Sequence, residues 1–201
     1  MEKKDINILI VGVGGQGVLL ASEILSLLAI EVGMDIKKSE VHGMSQRGGV
    51  VSSHVRIADK VYSPTLNFGE ADVILSFEAA EALRALPWLK KGGTLITSHT
   101  RLVPPITTIG KYSYPDDPIA EIKKKNIDLK DTDADAIAKE LGNPRLVNTI
   151  LLGVLSNSLD IPEESWLDVV RKRVPPKFVD LNVEAFKRGR SLEFKAAGVE
   201  G

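Results

Sequence analysis

At 201 residues and 43% hydrophobic, the chain can bury one good core and is too apolar for wholesale disorder. Its 26 Lys and Arg nearly balance 27 Asp and Glu, which argues against a nucleic-acid surface built on global charge. With no cysteine, the chain has no disulfide, no catalytic thiol and no cysteine-ligated zinc or iron–sulfur cluster.

"INILIV" is a short apolar, β-branched run, the pattern of a strand buried on both faces. The residues before it carry charge and lack the apolar segment and cleavage site of a secretory leader. From Gln16 to Val32, apolar residues recur at helical spacing, with Gly33 placed to end the helix. "MDIKKSEV" and "VVSSHVRI" follow as strands around the turn-rich "HGMSQRGG", and "ADK" reads as a hairpin turn into "VYSP". "ADVILSF" is another buried strand, "EAAEALRALPWL" a helix with Pro87 near its end, and "GGTLITS" a further strand. Prolines before "ITTIGKYSY" and "PDDP" after it leave the bounds of that stretch open.

Beyond "IDLKDTDADAIAKELGNP" the chain turns helical: "RLVNTILLGVLSNSL" is apolar on more than one side, and two more helices follow in "PEESWLDVVRKRVPP" and "FVDLNVEAFKRGRSLEF". No apolar stretch reaches about 18 residues without polar interruption, so the sequence predicts no membrane span and a cytoplasmic location. The expected fold is α/β: a Rossmann-like, doubly wound, mostly parallel sheet in a single domain over 1–201, with a helical C-terminal part over 143–192. Ligands of such a sheet bind at the carboxyl ends of its strands.

Two stretches carry the chemistry. In "GVGGQGVLL", Gly12, Gly14, Gly15 and Gly17 form a strand-to-helix turn of the kind that cradles a phosphate or other anion, though such a turn needs glycines in any case. A dinucleotide site also requires an acid about 20 residues on, to hold the ribose. Counting from Gly17 reaches Lys37 and Lys38, with Glu40 slightly later. In "SQRGGVVSSHVR", Arg47 beside Gly48 and Gly49 could hold an anionic group, while His54 and Arg56 alternate on one side of the following strand. These five residues are candidates for an interface or the rim of a cleft. Glu78 lies where ligands reach, but more simply serves the first turn of its helix. No catalytic residue stands out, and the three histidines, His42, His54 and His99, lack the i, i+4 spacing of a helical metal site.

Together, "GVGGQGVLLAS", "SEVHGMSQRGGVVSSHVR", "ELGNPRLVNTILLGVL" and "PPKFVDLNVEAFKRG" resemble the gamma-type subunit of 2-oxoacid:ferredoxin oxidoreductases, and the stretch from Val41 to Met44 resembles the indolepyruvate branch. The resemblance implies a cofactor-poor subunit, inactive alone. Its larger alpha partner would carry thiamine diphosphate and [4Fe-4S] clusters, oxidise a 2-oxoacid such as an arylpyruvate or pyruvate to the acyl-coenzyme A, and pass electrons to ferredoxin. Within this chain the glycine loop would serve coenzyme A, another nucleotide or the subunit interface. The alternatives are a free-standing NAD(P)-binding oxidoreductase and a non-enzymatic nucleotide-binding module.

Overall fold

A computed structural model of the chain describes residues 5–42, 49–103 and 113–194. Six strands form one sheet: β1 (Ile6–Val13), β2 (Asp35–His42), β3 (Val50–Ala58), β4 (Ala71–Ser76), β5 (Leu89–Ser98) and β6 (Asp128–Thr132). Their spatial order is β2-β3-β1-β4-β5-β6. The β1, β4, β5 and β6 neighbours pair in parallel, whereas β3 lies antiparallel between β1 and β2. Five strands therefore point the same way and β3 alone runs against them, so the mostly parallel, doubly wound expectation holds with one reversed strand.

Strand alternation sorts the core into two layers. Ile8, Ile10, Val55, Val73, Leu75 and Ile96 face α1 (Val18–Glu31), α4 (Ala134–Glu140), α5 (Val147–Ser156), α6 (Glu163–Arg173) and α7 (Val179–Arg190). Leu9, Val11, Ile74 and Leu95 face α2 (Ala79–Ala85), α3 (Pro118–Lys123) and Leu66. No described helix is long and apolar enough to cross a membrane.

Two elements depart from the sequence reading. "VYSP" does not pair as a strand; residues 59–70 fold back over the sheet, held by side chains of β2 and β3. Asp35 accepts from the Val61 amide at 2.9 Å, and His54 Nδ1 accepts from the Leu66 amide at 3.1 Å. Within "IDLKDTDADAIAKELGNP", Asp128–Thr132 is an edge strand and Ala134–Glu140 a helix. Asp128, Lys130 and Asp131 give that strand no apolar face to read, and Asp133 opens the helix by accepting from the Ala136 amide at 2.9 Å. Much of "ITTIGKYSY" lies outside the described residues.

α5 and α7 cross with their backbones almost touching. A Cβ on Gly153 would stand 2.1 Å from the Phe186 carbonyl oxygen, and one on Gly189 would stand 1.9 Å from that of Ile150. The crossing sets the position of α5 and hence of Asn148 at its start. In an exposed helix, Gly→Ala would stabilise by about 1 kcal/mol; at this crossing the sign reverses. Gly189→Ala should cost about 2 to 3 kcal/mol by forcing the helices apart, lowering Tm by roughly 5 to 10 °C. A thermal melt in which the variant equals or exceeds the parent would contradict the crossing.

Candidate functional site at the carboxyl edge

The glycine loop joins β1 to α1, and three of its glycines have a local physical reason. A Cβ on Gly12 would meet Gln16 Oε1, Val18 and Phe77 at 3.0 to 3.2 Å, so the close helix–strand packing leaves it little room. Gly15 and Gly17 take left-handed φ values of 103° and 92°. Gly17 also faces Asn148, whose Nδ2 would lie 2.7 Å from an added Cβ. The Gly14 amide donates to the Gly49 carbonyl at 2.9 Å. This bond ties the loop to the end of the "RGG" segment, so the two stretches singled out in the sequence meet. Arg47 and Gly48 lie outside the described residues.

Gln16 completes the loop. Its Oε1 accepts from the Val13 amide at 2.7 Å, and its Nε2 donates to the Phe77 carbonyl at 2.8 Å, linking the ends of β1 and β4. α1 has no side-chain cap at Gly17 and no acid in its first turn. Its leading amides and partial positive charge therefore face the carboxyl edge, a geometry that suits an anion.

Glu78, immediately beyond β4, is buried and accepts three bonds. The Glu81 amide donates at 2.8 Å and caps α2, the Leu102 amide donates at 3.1 Å, and the Tyr114 hydroxyl donates as well. It thus holds both described flanks of the β5–α3 connection against the end of the sheet. Burial, followed by the bond to Glu78, raises the Tyr114 pKa. Burial likewise raises that of Glu81, partly offset by Arg84. The helix-start role expected for Glu78 is present; its two further donors come from residues distant in sequence.

His54 and Arg56 sit elsewhere. In the β1–β3 register His54 lies opposite Leu9 and Arg56 opposite Asn7, in mid-sheet and toward the amino end of β1. Arg56 donates to the Thr65 carbonyl at 2.9 Å and pairs with Glu70, so both residues pin the 59–70 loop instead of facing the cleft. Hydrogen bonds from Asn67, then Arg56, hold the Glu70 carboxyl below its usual range. Glu40 accepts from Lys38 at 2.8 Å and from Ser22 at 3.2 Å. It stands on β2, separated from β1 by the whole of β3, about 10 Å across two strand spacings. No group of three or more potential metal ligands occurs among the described residues.

The Rossmann-like sheet with an uncapped glycine turn, and with an antiparallel strand where a dinucleotide site keeps its ribose-binding acid, defines an α/β protein that has the turn of a nucleotide site without that acid beside it. Residues 7–192 match the family described as pyruvate ferredoxin/flavodoxin oxidoreductase, and the chain belongs to it. Within that family it is 43% identical to indolepyruvate oxidoreductase subunit IorB of Thermococcus kodakarensis, over 92% of this chain and 95% of that protein. The keto/oxoacid ferredoxin oxidoreductase gamma subunit of Geobacter sulfurreducens superposes with a TM-score of 0.67 at 26% identity, covering 92% of this chain and 95% of that one. The fold also occurs inside a longer chain: 2-oxoglutarate:ferredoxin oxidoreductase of Magnetococcus marinus matches with a TM-score of 0.72 at 21% identity, over 94% of this chain and 31% of its own.

His54 generates a pH prediction. Its Nδ1 accepts a hydrogen bond, and burial, then the charge of Arg56, lowers its pKa from the ordinary 6.5. A depressed native pKa means the unfolded state binds the proton more readily, so this contribution to stability is full above pH 6.5 and is lost as the pH falls below it. Urea unfolding should show a stability decline between about pH 7 and 5 that His54→Asn, which keeps an acceptor but does not titrate, flattens. Parallel pH profiles for the two proteins would contradict the assignment.

Proposed function

We propose that the chain is the subunit without clusters of a complex that oxidatively decarboxylates indolepyruvate and other arylpyruvates to the acyl-coenzyme A, with ferredoxin as electron acceptor. The observation that carries this reading is the 43% identity, over nearly the full length of both chains, to a protein named as an indolepyruvate oxidoreductase subunit. Thiamine diphosphate and [4Fe-4S] clusters belong to a larger alpha partner, in keeping with a sequence that has no cysteine.

The carboxyl edge is the face turned to that partner. Leu19, Val41, Val50, Leu102 and Val103 are large apolar side chains exposed there, around the glycine loop and Gly49. Such a rim suits a protein surface better than water. The amides of the loop and of the α1 N-terminus supply donors to an anion delivered at that junction, a coenzyme A phosphate or an acidic group of the partner. Arg47, two residues before Gly49, supplies the cation.

Coexpression with the larger subunit and assay of dye or ferredoxin reduction with indolepyruvate tests the reading. The complex should reduce the acceptor and the isolated chain should not. Arg47→Ala should lower assembly or turnover roughly tenfold or more, the loss of a charge-assisted contact of about 1.5 to 3 kcal/mol, while the Tm of the isolated chain barely moves. Unchanged assembly and turnover would remove Arg47 from the interface. Tight binding of NAD or NADP by the isolated chain would instead favour a free-standing dinucleotide enzyme.

A further inference from the structure

The opposite, amino-terminal edge of the sheet holds a cavity of about 1080 Å³, between the first residues of the strands and the connection from α5 to α6. It is slightly larger than the roughly 300 to 1,000 Å³ usual for small-ligand pockets. Its lining mixes polar and apolar groups, and the apolar part is formed by Ile6, Ile57 and Val73 from the sheet, Met34 after α1, and Leu159 and Ile161 of the connection. None of these residues belongs to the carboxyl edge described above.

Of the two half-buried charged groups in this lining, Asp72 is paired with Lys90 and Lys130 lacks a counter-charge. Lys130, on β6, is half-buried and lines the cavity on the face it shares with Ile96. Among the described residues its ammonium makes no ion pair, and its one hydrogen bond is a long one, 3.4 Å to the Ser158 hydroxyl. An anion placed against this ammonium would gain a charge-assisted bond that the distant Ser158 hydroxyl does not supply. Lys90, by contrast, is already committed to Asp72 at 2.9 Å. Two further carboxylates, Asp5 and Asp160, line the mouth and are exposed. Lys91, also exposed in this lining, balances one of them, so with Lys90 paired to Asp72 the cavity carries no excess positive charge to hold a multiply charged anion such as phosphate, whereas a single carboxylate needs only Lys130.

We infer that this cavity binds a small amphipathic monocarboxylate, with its aryl or alkyl body on the apolar wall and its carboxylate on Lys130. The inference is independent of the reading of the carboxyl edge, because it uses the opposite end of the sheet and predicts binding by the isolated chain.

The test is an amide-resolved NMR titration of the full chain with 4-phenylbutyrate, its neutral analogue 4-phenylbutanol, and inorganic phosphate. Phenylbutyrate should give saturable shifts at Ile57, Val73, Thr94 and Ser158 with a Kd below about 1 mM. Lys130→Met and Lys130→Gln should each weaken phenylbutyrate about tenfold or more, whereas Lys130→Arg should retain it and phenylbutanol should be indifferent to all three. The inference is overturned if phenylbutyrate gives no saturable shift, if its shifts fall at residues 12–20, if phosphate binds as tightly, or if both neutral variants bind it like the parent.

Discussion

Everything at the carboxyl edge depends on one antiparallel strand. Because β3 pairs with both β1 and β2, it returns the chain from the end of β2 to the glycine loop, and Gly49 arrives where the Gly14 amide can donate to it. The same insertion pushes β2 one strand away from β1. The acid that would hold a ribose, Glu40, is thereby carried off and turned to Lys38 and Ser22. One topological choice therefore removes the dinucleotide geometry and builds in its place a joint between two glycine-containing segments.

The helical layer holds that joint from behind. Gly153 and Gly189 let α5 and α7 approach to backbone contact, and α5 in turn places Asn148 against Gly17. Gln16 and Glu78 extend the support sideways, the first tying β1 to β4 and the second anchoring the flanks of the β5–α3 connection. The leading amides of α1 are left directed outward, amid exposed apolar residues. The same fold occurs both as a separate gamma subunit and as under a third of a longer chain.

Much of this was legible in the sequence because it is local. "INILIV", the glycines after it and the 3.6-residue period from Gln16 to Val32 specify strand, turn and helix without help from the rest of the chain. What was hidden depends on distance. The reversed direction of β3 cannot be read from alternation, which is the same for parallel and antiparallel strands. The partners of His54 and Arg56, at Thr65, Leu66 and Glu70, were hidden because they come from a loop with no strand signal. β6 was missed because its residues are charged or half-buried at the sheet's edge. Gly153 and Gly189 sit in the stretches that carry the family resemblance, yet only the helix crossing explains why a side chain is excluded there.

The central claim is that the carboxyl edge, organised by the Gly14–Gly49 bond, is the face that meets the larger subunit. Hydrogen–deuterium exchange on the chain alone and in the assembled complex tests it most directly. The account predicts added protection at residues 12–20, 49–51 and 100–103, with little change at 90–93 and 157–162 on the opposite edge. Protection confined to the opposite edge, or none at the glycine loop, would contradict it.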